Sequence, residues 1–167
     1  MKIAINGFGR IGRTILRQIL TLPGSESIEI ARINDIAPLD ICAYLFQYDS
    51  TFGPFPAPVE TGEASLHVMG RTIPVSHAAD LTEVDLSGVD VVLECTGIAR
   101  TSDVAQRGLQ AGARKAPISG PSPAAERTEV VGANEDRRTD APHIPNASCR
   151  HNAPAPHVSA HEAHSQH

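Results

Sequence analysis

The chain has 167 residues and a formal net charge of −5, which disfavours nucleic acid as its main partner. It contains no run of about 18 apolar residues and no signal-peptide pattern, so we expect no membrane partner and no secretion, and we place the protein in the cytoplasm. Three cysteines without framework spacing are typical of a reducing compartment.

A glycine-rich segment follows the first predicted strand. The apolar run Ile3–Ile5 leads into Gly7, Gly9 and Gly12 with the spacing G-x-G-x-x-G, and helical periodicity continues to Leu20. In such a motif the first glycine allows a tight turn, the second lets a pyrophosphate approach the backbone, and the third lets the helix pack on the sheet. The phosphates would lie at the helix N-terminus. The motif predicts a dinucleotide site, although an ordinary structural turn uses glycines too.

An acidic residue occurs where such a site requires one. The predicted strand Ile28–Ile33 ends in Asn34 and Asp35, and Asp35 lies 23 residues after Gly12. A carboxylate there accepts hydrogen bonds from both ribose hydroxyls and repels a 2′-phosphate. We therefore predict NAD as the cofactor rather than NADP; the alternative is a helix-capping aspartate.

Three arginines lie on one stripe of the first predicted helix, at positions 10, 13 and 17. We expect Arg13 and Arg17 to form a solvated face, and Arg10 to lie close enough to the glycine turn to contact phosphate.

A second helix is predicted to begin near Pro38, and its inward residues are expected to be Ile41, Cys42, Leu45 and Phe46. Cys42 is interpreted as a small core residue and not as a nucleophile.

Residues 64–75 predict a small antiparallel hairpin around Gly70, inserted into an alternation of strands and helices. The apolar run Val89–Glu94 then predicts a buried strand with Cys95, Thr96 and Gly97 at its carboxyl end. Ligands of open α/β sheets collect there, so Thr96 and Gly97 are candidate lining residues. Cys95 has no cationic neighbour that would lower its thiol pKa, which disfavours it as a nucleophile.

A helix is predicted from residues 101–103 to Gly112, followed by strands at 114–119 and 128–132. Pro117 is unexpected in the first of these strands because it has no N–H to donate. The alternation predicts a Rossmann-type α/β fold with a doubly wound, mainly parallel sheet and the small hairpin insertion. Beyond Asp140, proline and histidine dominate, which predicts an irregular C-terminal tail.

The histidines of this tail suggest an alternative function. His157 and His161 are spaced i, i+4, which on a helix can chelate zinc or nickel. Nearby prolines and the lack of a fixed ligand set favour adventitious binding, so no dedicated metal site is predicted.

Together these motifs resemble the amino-terminal half of phosphorylating glyceraldehyde-3-phosphate dehydrogenase and, more distantly, erythrose-4-phosphate dehydrogenase. The resemblance covers about residues 1–152. It rests on six segments: Asn6–Arg13, Asn34–Asp35, Tyr48–Gly53, Glu94–Gly97, Asn134–Asp136 and Asn146–Cys149.

The resemblance implies a role for each of several residues. NAD would be held by Asn6, Gly7, Gly9, Arg10, Ile11, Gly12, Asn34, Asp35, Thr96, Gly97 and Ser119. Cys149 would be the nucleophile that adds to an aldehyde phosphate, Ser148 would contact this substrate, and inorganic phosphate would release the resulting thioester. The family is homotetrameric, but the resemblance does not decide the oligomeric state of this chain.

The resemblance also implies a domain division, with residues 1–148 forming the NAD-binding domain and 149–167 a remnant of the start of the catalytic domain. In that family the carboxyl-terminal half supplies the histidine base and the groups that bind substrate phosphate. We therefore expect the chain to be truncated and, by itself, inactive. A non-catalytic NAD-binding or interaction module and an erythrose-4-phosphate dehydrogenase-like enzyme are the alternatives.

Overall fold

A computed structural model describes residues 1–99 and 102–119. Within this part the helices are α1 (Arg10–Thr21), α2 (Leu39–Gln47) and α3 (Ser102–Gln110), with a 3-10 turn at Leu81–Glu83. The strands are β1 (Lys2–Asn6), β2 (Glu29–Asn34), β3 (Tyr48–Asp49), β4 (Gly53–Pro54), β5 (Val59–Thr61), β6 (Ser65–Val68), β7 (Arg71–Ser76) and β8 (Val91–Glu94).

Six strands form one sheet in the order β5-β6-β7-β2-β1-β8, and β3 pairs with β4 separately. The pairs β7–β2, β2–β1 and β1–β8 are parallel, whereas β5, β6 and β7 pair antiparallel. The chain leaves β1 for β2 on one side and later reaches β8 on the other, so the strand order reverses beside β1. Such a reversal opens a crevice at the carboxyl ends of the strands. The predicted Rossmann-type α/β fold is confirmed.

Two apolar clusters cover the two faces of the sheet. Ile3 and Ile5 of β1 point towards the cluster that contains Leu16 of α1, whereas Ala4 belongs to the other cluster, together with Val92 of β8. Because successive side chains of a strand point to opposite faces, β1 is buried on both. Its carboxyl end is therefore held firmly at the crevice.

The predicted hairpin is confirmed as β6 and β7, and it is continuous with the main sheet. β7 pairs with β2 through Val75 with Ile33 and Ser76 with Asn34. The hairpin thereby adds its second strand to the parallel core and aligns the end of β7 with the end of β2.

The prediction for the inward face of α2 is partly wrong. Cys42 and Phe46 are buried as expected, but Ile41 and Leu45 are exposed, and Ala43 is buried instead. The buried positions follow the spacing i, i+1 and i+4, so the face turned to the sheet is displaced from the one that residue hydrophobicity indicates.

The prediction that Arg13 and Arg17 form a solvated face is wrong. Arg13 Nη1 donates to the carbonyl of Phe8 at 2.9 Å, and Arg17 Nη2 donates to the carbonyl of Gly53 at 3.0 Å. The Arg17 guanidinium also lies 5.2 Å from the centre of the Phe55 ring. Both side chains are partly buried because they satisfy backbone carbonyls of neighbouring loops.

The predicted strand at 114–119 is reduced to two isolated bridges with β8, which join Lys115 to Val91 and Ile118 to Glu94. The backbone N–H of Lys115 donates to the backbone carbonyl of Asp90 at 3.1 Å, and that of Ser119 donates to the backbone carbonyl of Glu94 at 2.9 Å. The intervening donor position is residue 117, and proline has no N–H to place there. The segment still runs along β8 and brings Ser119 to the carboxyl end of the sheet.

The predictions for strand 128–132, for Ser148 and Cys149 and for the histidine-rich tail lie outside the described residues. In the two described ranges, no helix is both long and apolar enough to span a membrane.

Candidate dinucleotide site

The turn after β1 requires glycine at two positions. Gly7 has φ +92°, and a Cβ there would lie 2.7 Å from Thr96 N and 2.8 Å from the carbonyl carbon of Cys95. A Cβ on Gly12 would overlap the carbonyl oxygen of Gly7 and lie 3.0 Å from the Ile5 side chain. The glycines thus let α1 and the segment after β8 pack directly against the turn.

Gly9 differs from these two glycines because it faces open space. A Cβ on Gly9 would have no heavy atom within 4 Å, and the residue is exposed. It is the N-cap of α1, where no side chain caps the helix and no acidic residue occupies the first turn. Arg10 and Ile11 beside it are exposed. The N–H groups and positive dipole end of α1 therefore suit an anion.

Asp35 directly follows β2 and lies beside this helix end. Its Oδ2 accepts from Phe8 N at 2.5 Å and its Oδ1 accepts from Ala37 N at 2.8 Å. An ionised carboxylate has about four acceptor positions, so two remain beyond these backbone contacts. Asp35 therefore fixes the glycine turn and can also accept hydrogen bonds from a ribose.

Thr96 begins the loop after β8. Its N–H donates to Glu94 Oε1 at 2.9 Å, and its hydroxyl donates to the same oxygen. Gly97, with φ +76°, and Ile98 follow as exposed residues. Ser119 is partly buried beside this loop. The loop thus forms the second wall of the crevice, opposite Asp35.

A cavity of about 260 Å³ connects these walls. Six of the predicted cofactor residues line it: Asn6, Gly7, Gly9, Asn34, Asp35 and Thr96. Arg10, Ile11 and Gly12 lie beside it on α1, while Gly97 and Ser119 lie close to the Thr96 wall. The structure therefore places all eleven predicted cofactor residues at one edge of the sheet.

The cavity also has an apolar end that the sequence analysis did not identify. It includes Ile36, Leu81, Ile98 and Val104, with Arg107 at its margin. Arg107 Nη2 lies 3.3 Å from Asp80 Oδ2. These residues follow β2, β7 and β8 along the chain, so their position after strand ends was the signal that could have found them.

A larger cavity of about 630 Å³ lies near the starts of β2 and β7, between Glu26 and Arg71. It occupies the opposite end of the parallel strands from the glycine turn. Because ligands of such sheets bind at the carboxyl ends, the smaller cavity is the better candidate.

The two cysteines that the structure describes have deactivated thiols. Burial raises the pKa of Cys42 and of Cys95 to about 11 from an ordinary value of 9.0. The negative charges of Asp35 near Cys42 and of Glu94 near Cys95 act in the same direction. This agrees with the prediction that neither is a nucleophile.

We expect both thiols to react with iodoacetamide at pH 8 about a hundredfold more slowly in the folded protein than after unfolding, because the thiolate fraction falls with the raised pKa. Since the folded pKa values are raised, their contribution to stability is present below pH 9 and is lost as the pH rises towards 11. Mass spectrometry of alkylated peptides measures the rates. Equal rates in folded and unfolded protein would contradict the burial of these thiols.

Within residues 1–99 and 102–119, no group of three or more histidine, cysteine, aspartate or glutamate side chains is arranged to hold a metal ion.

The glycine turn, the acidic residue after β2 and the strand order β7-β2-β1-β8 define a dinucleotide-binding domain of Rossmann type. Residues 1–102 match the family described as glyceraldehyde 3-phosphate dehydrogenase, NAD binding domain. The chain belongs to this family, which confirms the resemblance inferred from its motifs.

Relatives with curated names agree. The chain is 45% identical over 159 residues to glyceraldehyde-3-phosphate dehydrogenase of Pseudomonas aeruginosa, covering 93% of this chain and 48% of that protein. It is 42% identical over 161 residues to glyceraldehyde-3-phosphate dehydrogenase of Xanthobacter flavus, covering 93% of this chain and 47% of that protein. Identity to glyceraldehyde-3-phosphate dehydrogenase A of Escherichia coli is 40% over 158 residues, again covering 93% and 47%. The chain spans about half the length of these relatives.

Proposed function

We propose that this chain binds NAD in the crevice between Asp35 and Thr96, as the cofactor-binding part of an oxidoreductase similar to glyceraldehyde-3-phosphate dehydrogenase. The observation that supports this most directly is the open N-terminus of α1 at Gly9, which lies beside the Asp35 carboxylate; that carboxylate accepts from Phe8 N–H and keeps further acceptor positions. A helix end that binds an anion lies next to a carboxylate that can accept hydrogen bonds from a ribose. This pair matches the pyrophosphate and the adenosine ribose of a dinucleotide.

Each wall of the crevice has a separate role in this proposal. The N–H groups at the start of α1 bind the pyrophosphate, with Arg10 nearby, and Gly9 lets the phosphate approach the backbone. Asp35 binds the adenosine ribose and disfavours a 2′-phosphate by charge repulsion. The loop containing Thr96 and Gly97, with Ser119 beside it, orients the nicotinamide end. NAD, when bound, supplies the acceptor for a hydride.

For the reaction, we propose Cys149 as the nucleophile and an aldehyde phosphate as the substrate, with Ser148 in contact with that substrate. The high thiol pKa values of Cys42 and Cys95 support Cys149 by elimination among the three cysteines. A cysteine thiolate adds to an aldehyde, and loss of hydride gives a thioester that inorganic phosphate can cleave. We expect the 167-residue chain alone to bind the cofactor without completing this reaction, because it spans about half the length of its relatives.

Gly9→Ala tests the cofactor site with little effect on folding. We expect NAD to bind at least about tenfold more weakly, as for the loss of one charge-assisted hydrogen bond to the helix N-terminus. The new Cβ meets open space, so the free energy of unfolding should fall by less than about 1 kcal/mol, the usual cost of a poorer N-cap. Isothermal titration calorimetry measures the affinity, and urea unfolding measures the stability.

Gln18→Ala, on the exposed part of the same helix, is the matched control and should leave the NAD affinity unchanged. A parallel titration with NADP should give clearly weaker binding than NAD. The proposal would be wrong if the unmodified chain bound no NAD at millimolar concentration, or if Gly9→Ala bound it as tightly as the unmodified chain.

A further inference from the structure

The last residues of four parallel strands form a buried polar row. Ser76, Asn34, Asn6 and Glu94 end β7, β2, β1 and β8, and they are register partners across the sheet. Asn34, Asn6 and Glu94 are at most 7% exposed, whereas most buried residues around them are apolar. The row lies directly beneath the proposed NAD site.

The backbone of Ala78 determines which side chain donates and which accepts along this row. Ala78 N–H donates to Asn34 Oδ1 at 3.0 Å, and Ala78 C=O accepts from Asn34 Nδ2 at 3.0 Å. Because a backbone N–H only donates and a carbonyl only accepts, the orientation of the Asn34 amide is settled. Asn34 Nδ2 also donates to Asn6 Oδ1 at 2.9 Å, which turns Asn6 Nδ2 towards Glu94.

Both carboxyl oxygens of Glu94 therefore face donors. Asn6 Nδ2 donates to Oε2 at 2.5 Å, and Thr96 N–H donates to Oε1 at 2.9 Å. The Thr96 hydroxyl also donates to Oε1, which gives the carboxylate three hydrogen bonds from the described residues. An ionised carboxylate satisfies this arrangement because both of its oxygens accept.

We propose that Glu94 is a positioning residue for the crevice: its carboxylate holds the Thr96 loop against the Gly7 turn. The inference rests on the proposed function, since the loop it holds is the wall assigned to the nicotinamide end of NAD. Thr96, Gly97 and Ile98 are exposed, and two hydrogen bonds from Thr96 to Glu94 connect this loop to the sheet, next to the bond from Cys95 N–H to the carbonyl of Asn6 at 2.7 Å. The same carboxylate links the loop, through Asn6 and Asn34, to the segment after β7.

Glu94→Gln tests the direction of these bonds without changing side-chain shape. A glutamine Nε2 donates but does not accept, so it must face either Asn6 Nδ2 or Thr96 N–H, and one donor loses its partner. The loop then occupies its binding-competent position for a smaller fraction of the time, and apparent affinity falls by that fraction. We expect about tenfold weaker NAD binding and about tenfold faster hydrogen exchange of the Thr96 amide without NAD.

A compensating variant separates this proposal from general damage to the core. In the double variant Asn6→Asp/Glu94→Gln, the new carboxylate at position 6 accepts from both Asn34 Nδ2 and the glutamine Nε2, and the glutamine oxygen accepts from Thr96 N–H. The total charge is unchanged. The exchange rate of the Thr96 amide without NAD should return to within about threefold of its original value, despite two substitutions. Asn6→Asp alone places two carboxylates face to face, and its Thr96 amide should exchange faster than that of the double variant.

The measurements use the 167-residue chain, with amide exchange followed by mass spectrometry or NMR and affinity by calorimetry. Glu60→Gln, exposed on β5, is the control and should change neither quantity. Unchanged exchange at Thr96 in Glu94→Gln, or a double variant no better than Glu94→Gln, would overturn the proposal. If Glu94→Gln does not fold, recovery of folding and of slow Thr96 exchange in the double variant supports it, and failure of both variants refutes it. If the unmodified chain binds no NAD, the proposed function fails, while the exchange measurements still decide the role of Glu94.

Discussion

Replacing Gly7 by alanine is expected to lower the free energy of unfolding by about 3 kcal/mol or more, the combined cost of a left-handed backbone and an overpacked contact. Gly7 has φ +92°, and the added Cβ would lie 2.7–2.9 Å from backbone atoms of Cys95 and Thr96. The Cys95 and Thr96 backbone follows β8, which pairs with β1 and is bridged to Lys115 and Ile118, so it has little freedom to move aside. Urea unfolding followed by circular dichroism measures the change.

Gly24→Ala separates the two contributions. Gly24 has φ +89°, close to that of Gly7, but a Cβ there would meet no atom within 4 Å. Its expected cost is about 1 kcal/mol, from backbone strain alone. If both variants lost the same stability, the close approach of the Thr96 loop to the glycine turn would not be a significant constraint.

Phe46→Ala is expected to cost about 3–5 kcal/mol, because it removes a large side chain from a closed part of the core. Phe46 is 1% exposed, and its ring centre lies 5.7 Å from that of Phe8 and 4.7 Å from that of Phe55. Phe8 belongs to the glycine turn and its N–H donates to Asp35. Loss of Phe46 should therefore also weaken NAD binding, measured by calorimetry under conditions where the variant is folded.

Phe52→Ala is the matched control for this substitution. Phe52 is 55% exposed and lies beneath the Arg17 guanidinium, at 5.9 Å. Its loss should cost at most about 1 kcal/mol, the strength of an exposed cation–π contact. Similar losses for the two phenylalanines would show that the contacts among Phe8, Phe46 and Phe55 do not stabilise the turn.

The glycine motif illustrates how local signals predict part of the site. Spacing alone predicted that Gly7 and Gly12 form the turn after β1 and that Asp35 follows β2, as the structure has them, because tight turns and the ends of strands have strong local requirements. Their contacts with the cofactor stay predictions. The apolar run ending at Glu94 also located Thr96 at the correct edge. The catalytic roles of Cys149 and Ser148 stay predictions, since these residues lie outside the described part of the chain.

Other features depended on partners distant in sequence. Arg13 and Arg17 look like solvated residues by spacing, but they bind carbonyls of loops that the fold brings beside α1. Ile41 and Leu45 are apolar and yet exposed, since helical periodicity does not specify which stripe meets the sheet. Pro117 limits a strand that hydrophobicity alone predicts.

The sequence by itself determined the α/β class and the preferred cofactor, because dinucleotide binding requires glycine spacing and an acidic residue that are local in the sequence. The family followed from the resemblance of six motif segments. Only the tertiary structure decided how Asn6, Asn34 and Glu94 act. The alignment of strand ends pairs their side chains, and the backbone of Ala78 fixes the direction of every hydrogen bond as far as Thr96. Asn6 is 28 residues from Asn34 and 88 residues from Glu94 in the sequence, so no local pattern specifies these pairs.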